Sequence, residues 1–196
     1  MKQDKQDRRS QRTRRLVNTA MLELLFEKHY ETITVQDILD RAGIGRSTFY
    51  THFFDKEDVL TSIAEQMLEM FSQQFSQRKE RGGIVPVLEL FEHVQQHEQY
   101  FRAMLRGYTG EVFWEAAQTA LSKTIEQALT TVYAENASPS ISWAVIAQYL
   151  TGSILTLLKW WLKAEMLYPP QQMEKIFQQL ALPGVWATVE AENTSP

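Results

Sequence analysis

Apolar residues recur along almost the whole chain at helical spacing. Val17, Ala20, Met21, Leu24 and Leu25 fall at i, i+3, i+4, i+7 and i+8, which predicts a helix from about Gln11 to Lys28. Thr34 is positioned to cap the next helix, with Asp37 three residues on as the reciprocal partner of a capping box. Val35, Ile38, Leu39 and Ala42 form its apolar face. Gly43 then stands where a left-handed residue ends a helix, with Ile44 as the accompanying hydrophobic contact. A third, short helix is predicted from about Arg46 to Phe53. Asp55 caps a fourth, whose inward face reads Leu60, Ile63, Ala64, Met67, Leu68 and Phe71.

The polar stretch SQQFSQRKERGG follows, and Gly82-Gly83 is the clearest helix stop in the chain, so the domain boundary is expected inside the fourth helix or just after it. Pro86 suits the first turn of a helix carrying Val87, Leu90, Phe91 and Val94. Another holds Phe101, Met104 and Leu105 before Gly107. A long one from Glu111 to Tyr133 is expected to bury Phe113, Ala116, Ala120, Ile125, Ala128 and Val132. NASPS breaks the pattern, Ile141–Lys163 is the most apolar segment, and Pro169-Pro170 opens a last short helix with Met173, Ile176, Phe177 and Leu180. Gly184 and the closing EAENTSP predict fraying, with Trp186 pinned down before it. No period-2 strand and no internal repeat is visible. The expected fold is all-α, with about nine helices.

Ile141–Leu162 is long enough to span a bilayer with a single charge. Its Ser142, Gln148, Thr151, Gly152, Ser153, Thr156 and Lys159, and the lack of a basic flank, argue instead for a helix covered on both sides. One face would pack on its own domain and the other on a second subunit.

Composition changes this picture little. The chain has 196 residues, 44% hydrophobic and 22% charged, which excludes disordered and collagen-like classes. With no cysteine, disulfides, thiol catalysis and cysteine-ligated metals are out, and a cytoplasmic setting is expected. The charged N-terminus predicts no secretory signal. Charge matters more. The net charge of −4 conceals a front of 11 basic and 8 acidic residues over 1–56 and a remainder with 9 and 16. Residues 1–15 alone carry seven Lys/Arg against Asp4 and Asp7, including arginines 8, 9, 12, 14 and 15. A basic front on an acidic body suits an anionic partner for the front.

The chemistry concentrates in Thr34–Lys56, TVQDILDRAGIGRSTFYTHFFDK. Two short helices joined by a glycine-containing turn make a helix-turn-helix, whose second helix would lie in a DNA major groove. Arg46, Ser47, Thr48, Tyr50, Thr51 and His52 supply hydrogen-bonding groups on its exposed faces, while Phe49 and Phe53 anchor it inside. Arg46 is suited to a bidentate contact to guanine, and Lys56, at the next helix start, to a phosphate.

At this point the sequence resembles the DNA-binding domain of the TetR/AcrR transcriptional regulators, from about Thr13 to Phe71. The resemblance is carried by Ala20, Leu25-Phe26, Tyr30, Thr32-Ile33-Thr34-Val35, Ile38, Ala42-Gly43-Ile44, Thr48-Phe49-Tyr50, His52-Phe53 and Lys56-Glu57. It implies that Thr34, Tyr50, His52 and Lys56 touch phosphates, and that Gln36, Arg46, Ser47 and Thr51 read or flank bases. Two residues depart from the pattern. Gly45 stands where the family usually caps the recognition helix with Ser or Thr, and His29 where a helix-ending, left-handed Gly is common.

The resemblance further implies a helix-turn-helix domain over 10–56, a connecting helix over 55–80, and an effector-binding and dimerisation domain over 81–196. The partners expected are double-stranded DNA, a small hydrophobic or aromatic effector, and a second subunit held through helices at about 140–164 and 170–180, with no membrane. Effector-lining candidates are Phe101, Met104, Tyr108, Phe113, Trp114 and Tyr149. His93 and His97, at i and i+4 beside Glu92 and Glu98, have chelate spacing, but HVQQHEQ reads as a solvated face, so no metal is expected. No HExxH, P-loop or GxSxG motif is present, so neither catalysis nor a cofactor is expected. The expected function is a ligand-responsive regulator, a repressor, binding a palindrome as a homodimer with recognition helices about 34–36 Å apart. The alternative is a helical protein of the same type that acts through protein partners with weak or no specific DNA binding.

Overall fold

A computed structural model describes residues 2–67, 85–105, 107–133 and 140–190. Among these the chain is helical, without strands: α1 Lys2–Glu27, a 3-10 turn Tyr30–Thr32, α2 Val35–Ala42, α3 Arg46–Tyr50 and α4 over 56–67. Then come α5 Val87–Gln96, α6 Glu98–Ala103, α7 Gly107–Tyr133, α8 Trp143–Lys163 and α9 Pro170–Glu190. Leu68, Phe71, the Gly82-Gly83 stop and most of NASPS lie outside the described residues. The chain forms two compact units, Met1–Gln66 with Arg102–Ala116, and Met67–Phe101 with Ala117–Pro196. The 102–116 segment therefore groups with the N-terminal helices, not with its sequence neighbours.

In the first unit α1 packs on α2. Val17, Ala20, Met21 and Leu24 are buried with Tyr30, Ile33, Ile38, Leu39, Phe49, Phe53, Val59 and Leu60. Burial of each large apolar side chain contributes about 1.5–3 kcal/mol. The first helix starts well before Gln11, because Lys, Gln and Arg are good helix formers and extend a packed helix without needing burial. Asn18 is 4% exposed; its Nδ2 donates to Ser62 Oγ at 3.2 Å and Gln66 Oε1 at 2.7 Å, tying α1 to α4. His29 adopts φ −64° and ψ 140°, so the left-handed conformation expected there is absent. A 3-10 turn takes the chain onward instead.

The 102–116 segment is locked by its own contacts. Trp114 Nε1 donates to the Met104 carbonyl at 2.8 Å. A Cβ on Gly110 would sit 2.7 Å from that same oxygen, so a glycine is required for this close approach.

In the second unit α9 packs on both α5 and α8. Phe91 and Trp161 meet edge to face at 5.0 Å, and Trp161 Nε1 donates to the Tyr168 carbonyl at 2.7 Å. Two sequence expectations change here. Phe113 and Ile125 of α7 are buried as expected, but the other buried apolar positions are Trp114, Ala117, Leu121 and Leu129, while Ala116, Ala120 and Ala128 are only half-buried and the Val132 side chain lies outside the described residues. The rotation puts leucines inward in place of alanines, which removes more apolar area from water. The last helix does not stop near residue 180 but runs through Pro183 and Gly184 to Glu190. No described helix is long and apolar enough to cross a membrane.

Candidate nucleic-acid interface

The helix-turn-helix is assembled by short-range chemistry. Thr34 Oγ1 accepts from the Asp37 backbone N–H at 3.2 Å, and an Asp37 carboxylate oxygen accepts from the Thr34 N–H at 2.7 Å, completing the capping box. Lys28 reaches the same carboxylate at 2.7 Å. The lysine contact first, and then the two Thr34 donors, hold Asp37 well below the usual carboxylate range. Gly43 ends α2 at φ 65° and ψ 37°, with its N–H and that of Ile44 both returned to the Leu39 carbonyl. Gly45 then precedes α3 in extended conformation without a side-chain cap, as its identity dictates.

α3 is shorter than expected. It ends at Tyr50, and a turn at 51–52 carries the chain to Phe53. Phe49 and Phe53 are buried with ring centroids 5.4 Å apart and fix the helix from inside. Arg46, Ser47, Tyr50 and Thr51 are exposed, and Thr48 and His52 half-buried. Tyr50 is 52% exposed and braced edge-on by Phe49 at 5.3 Å.

Arg46 is oriented by a partner on α2. Arg46 Nη2 donates to Gln36 Oε1 at 2.9 Å, and Gln36 Nε2 donates to Asp40 Oδ1 at 2.8 Å. The relay Asp40–Gln36–Arg46 joins the two helices across the turn on their exposed side. Sequence reasoning missed Asp40; its place one helical turn from Gln36 is the signal that could have found it. Ser10 Oγ and His52 Nδ1 lie 3.4 Å apart, and the Arg14 guanidinium sits 5.2 Å above the Phe53 ring. Burial first, and Arg14 second, lower the His52 pKa, so the ring is neutral at pH 7. Such long-range contacts leave no trace in sequence spacing.

Lys56 has a structural occupation. Its Nζ donates to the carbonyls of Tyr30 and Ile33, each at 2.9 Å, with Glu31 at 3.5 Å, and lies 4.2 Å from the Tyr30 ring centroid. It fastens the 3-10 turn that leads into α2.

The aromatic candidates of the C-terminal half fall in distinct settings. Met104, Phe113 and Trp114 are buried in the first unit, Phe113 and Trp114 edge to face at 5.3 Å. The side chain of Tyr108 lies outside the described residues. Phe101 is buried in the second unit, 6.0 Å from His93. Tyr149 is 50% exposed and lines an open groove of about 470 Å³ with Gly152, Ser153, Thr156, Leu157 and Leu180 on α8 and α9. The His93 and His97 rings are 4.5 Å apart, and no group of three metal-ligating residues occurs among the described residues.

Known proteins share both the sequence pattern and the fold. Residues 19–63 match the family model of bacterial regulatory proteins of the tetR family, and residues 86–182 match the model of a transcriptional regulator C-terminal region. An uncharacterized HTH-type transcriptional regulator of Haemophilus influenzae is 29% identical over 123 residues, 59% of this chain and 59% of that relative's length. The solved structure of NalD, the secondary repressor of the MexAB-OprM multidrug efflux pump in Pseudomonas aeruginosa, is 20% identical with a TM-score of 0.61, covering 89% of this chain and 97% of that one. A TetR-family repressor, FadR of Thermus thermophilus, solved with lauroyl-CoA, is 18% identical with a TM-score of 0.60, covering 86% and 93%. With a capped helix-turn-helix at its front, matching models over both halves and the fold of solved members, the chain belongs to the TetR family of transcriptional regulators.

Proposed function

We propose that the protein is a ligand-responsive repressor that binds a palindromic operator as a homodimer and is released by a small apolar effector. The observation that carries the reading is the exposed polar face of Gln36, Arg46, Ser47, Tyr50 and Thr51, held on a framework whose Phe49 and Phe53 are fully inside. Polar groups on a rigid, externally braced helix are what base-edge and phosphate contacts need. In this reading Gln36, Arg46, Ser47 and Thr51 face bases. Thr34, Thr48, Tyr50 and a neutral His52 donate to phosphates. A phosphate at Lys56 would have to share its protons with the carbonyls of Tyr30 and Ile33, so Lys56 acts mainly by holding the approach to α2.

The exposed side chains of Val145, Tyr149 and Trp160 on α8 and Leu180 on α9 support pairing with a second copy through those helices. The apolar group Met104, Phe113 and Trp114 supports an apolar effector, in keeping with the lauroyl-CoA held by the Thermus relative. Selection of bound fragments from the source genome, repeated at two salt concentrations, tests the reading. A palindrome whose affinity falls steeply with salt is expected, and Tyr50→Ala should weaken binding without unfolding the domain. Recovery of no preferred sequence would overturn the operator assignment in favour of action through protein partners.

A further inference from the structure

Arg46 opens α3 directly after Gly45, which supplies no side-chain cap, so the start of the recognition helix takes its brace from α2. Gln36 and Asp40 lie one turn apart on that helix, which the Thr34–Asp37 box holds at its front. Gln36 is neutral and could present its amide either way round. Its two neighbours settle the choice. A carboxylate only accepts and a guanidinium only donates, so Nε2 faces Asp40 at 2.8 Å and Oε1 faces Arg46 at 2.9 Å.

Other carboxylates hold the cations near Asp40 on α1 and α2. Arg41 pairs with Glu23 at 3.2 Å and Glu27 at 2.7 Å, and Lys28 with Asp37 at 2.7 Å. The Asp40 carboxylate is directed instead to the Gln36 amide, which it polarises toward Arg46. A guanidinium carries five N–H groups and the relay takes one from Arg46, so a two-pronged contact to a base stays open. Asp40, Gln36 and Arg46 are all exposed, on the side where the α2–α3 face meets its partner.

We propose that Asp40 is a positioning residue for base reading: through Gln36 it holds the Arg46 guanidinium in its reading orientation before DNA arrives, and so sharpens choice at the base pair that Arg46 contacts. The proposal rests on the DNA-binding reading above. Asp40 itself touches no base. An arginine that is already ordered loses less conformational freedom on binding. That gain favours guanine, whose N7 and O6 offer two acceptors side by side in the major groove. The same carboxylate repels phosphates at every site alike. Its removal should therefore blunt one base preference without weakening the hold on DNA in general.

The test is selection of bound sequences by the full-length protein and its variants, with base preference read position by position. Arg46→Ala first identifies the base pair that Arg46 reads, as the position whose preference it flattens. Asp40→Ala should reduce preference at that same position by about 3- to 10-fold in each half-site, and leave the other positions within about twofold. Affinity for a random-sequence duplex should not fall, and the thermal midpoint should match the parent, since the side chain is exposed. Asp40→Asn, which loses the charge but keeps an acceptor for Gln36 Nε2, should stay within about twofold of the parent. In a Gln36→Ala background Asp40→Ala should change the preference no further. An unchanged preference in Asp40→Ala, or a loss spread evenly over all positions, overturns the proposal while leaving the operator reading intact. Asp40→Asn as impaired as Asp40→Ala also overturns it, because charge alone would then act, as does a full-sized effect of Asp40→Ala without Gln36. A parent protein that selects no sequence defeats the operator reading itself, and the proposal with it.

Discussion

The α2–α3 turn and α9 reach helical order by opposite routes. At α2 every local signal agrees: Thr34 and Asp37 cap reciprocally, Gly43 supplies the left-handed stop, and the chain between them obeys. In α9 the local signals are ignored. Pro183 lacks an N–H to give to the preceding turn, Gly184 follows it, and the helix continues to Glu190. Packing explains the difference. Met173, Phe177, Ala181 and Val185 form an i, i+4, i+8, i+12 stripe that is buried throughout, on both sides of the proline. Beyond the break, the Thr188 carbonyl accepts from the Ser140 N–H at 3.2 Å. Burial of that stripe outweighs a penalty of about 3 kcal/mol for an interior proline.

The most direct way to break this comparison is to empty the stripe. Phe177→Ala should cost about 3–5 kcal/mol, read from the denaturant midpoint at constant slope. A cost below about 1 kcal/mol would mean that packing is not what carries α9 past Pro183. The converse substitution sharpens the same point. Pro183 is exposed, so Pro183→Ala loses little packing and restores a backbone hydrogen bond. It should stabilise the fold by about 1–3 kcal/mol. No gain would indicate that the helix had already relaxed around the ring at little cost.

The same contrast explains what is legible in the sequence. Helix order, the capping box, the glycine stop and the inward placement of Phe49 and Phe53 depend on neighbours within four residues, and sequence spacing carries them. The inward face of α7 is carried so only at Phe113 and Ile125: Ala116, Ala120 and Ala128 have the right period, but so do Ala117, Leu121 and Leu129, and only tertiary packing selects the second set. The candidate interface divides likewise. The exposed residues of α3 can be named from sequence, whereas the relay from Asp40 to Arg46, the Ser10–His52 contact and the capture of Lys56 by two carbonyls require the folded chain. The grouping of residues 102–116 with the N-terminal helices is equally invisible, because nothing in a linear pattern reports which unit a turn joins.

Local control at α2 predicts a smaller and cleaner effect. A Cβ at position 43 would meet nothing within 4 Å, so the only cost of Gly43→Ala is the left-handed backbone itself. The loss should be about 1 kcal/mol, measured by thermal or denaturant unfolding. A loss several times larger would mean that the turn transmits strain into α3, and operator affinity would then fall by more than stability alone accounts for.

The smallest effect separates packing from charge in the second unit. His93 is half-buried against His97 and Phe101, and burial first, with His97 second, lowers its pKa to about 4. The unfolded ring, near pKa 6.5, takes up a proton below that pH, while the folded ring stays neutral until about pH 4. The unfolded state therefore binds more protons across this window, and stability must decline as pH falls from 6.5 to 4, with no contribution from this group above 6.5. Because the ring is only partly shielded, solvent screening reduces the loss to about 1 kcal/mol or less. His93→Gln should flatten that part of the stability–pH curve while leaving the neutral-pH value nearly unchanged. Retention of the full decline in the variant would assign it to a group other than His93, and not to Asp37, whose unfolded carboxyl near 3.8 takes up protons mainly below this window.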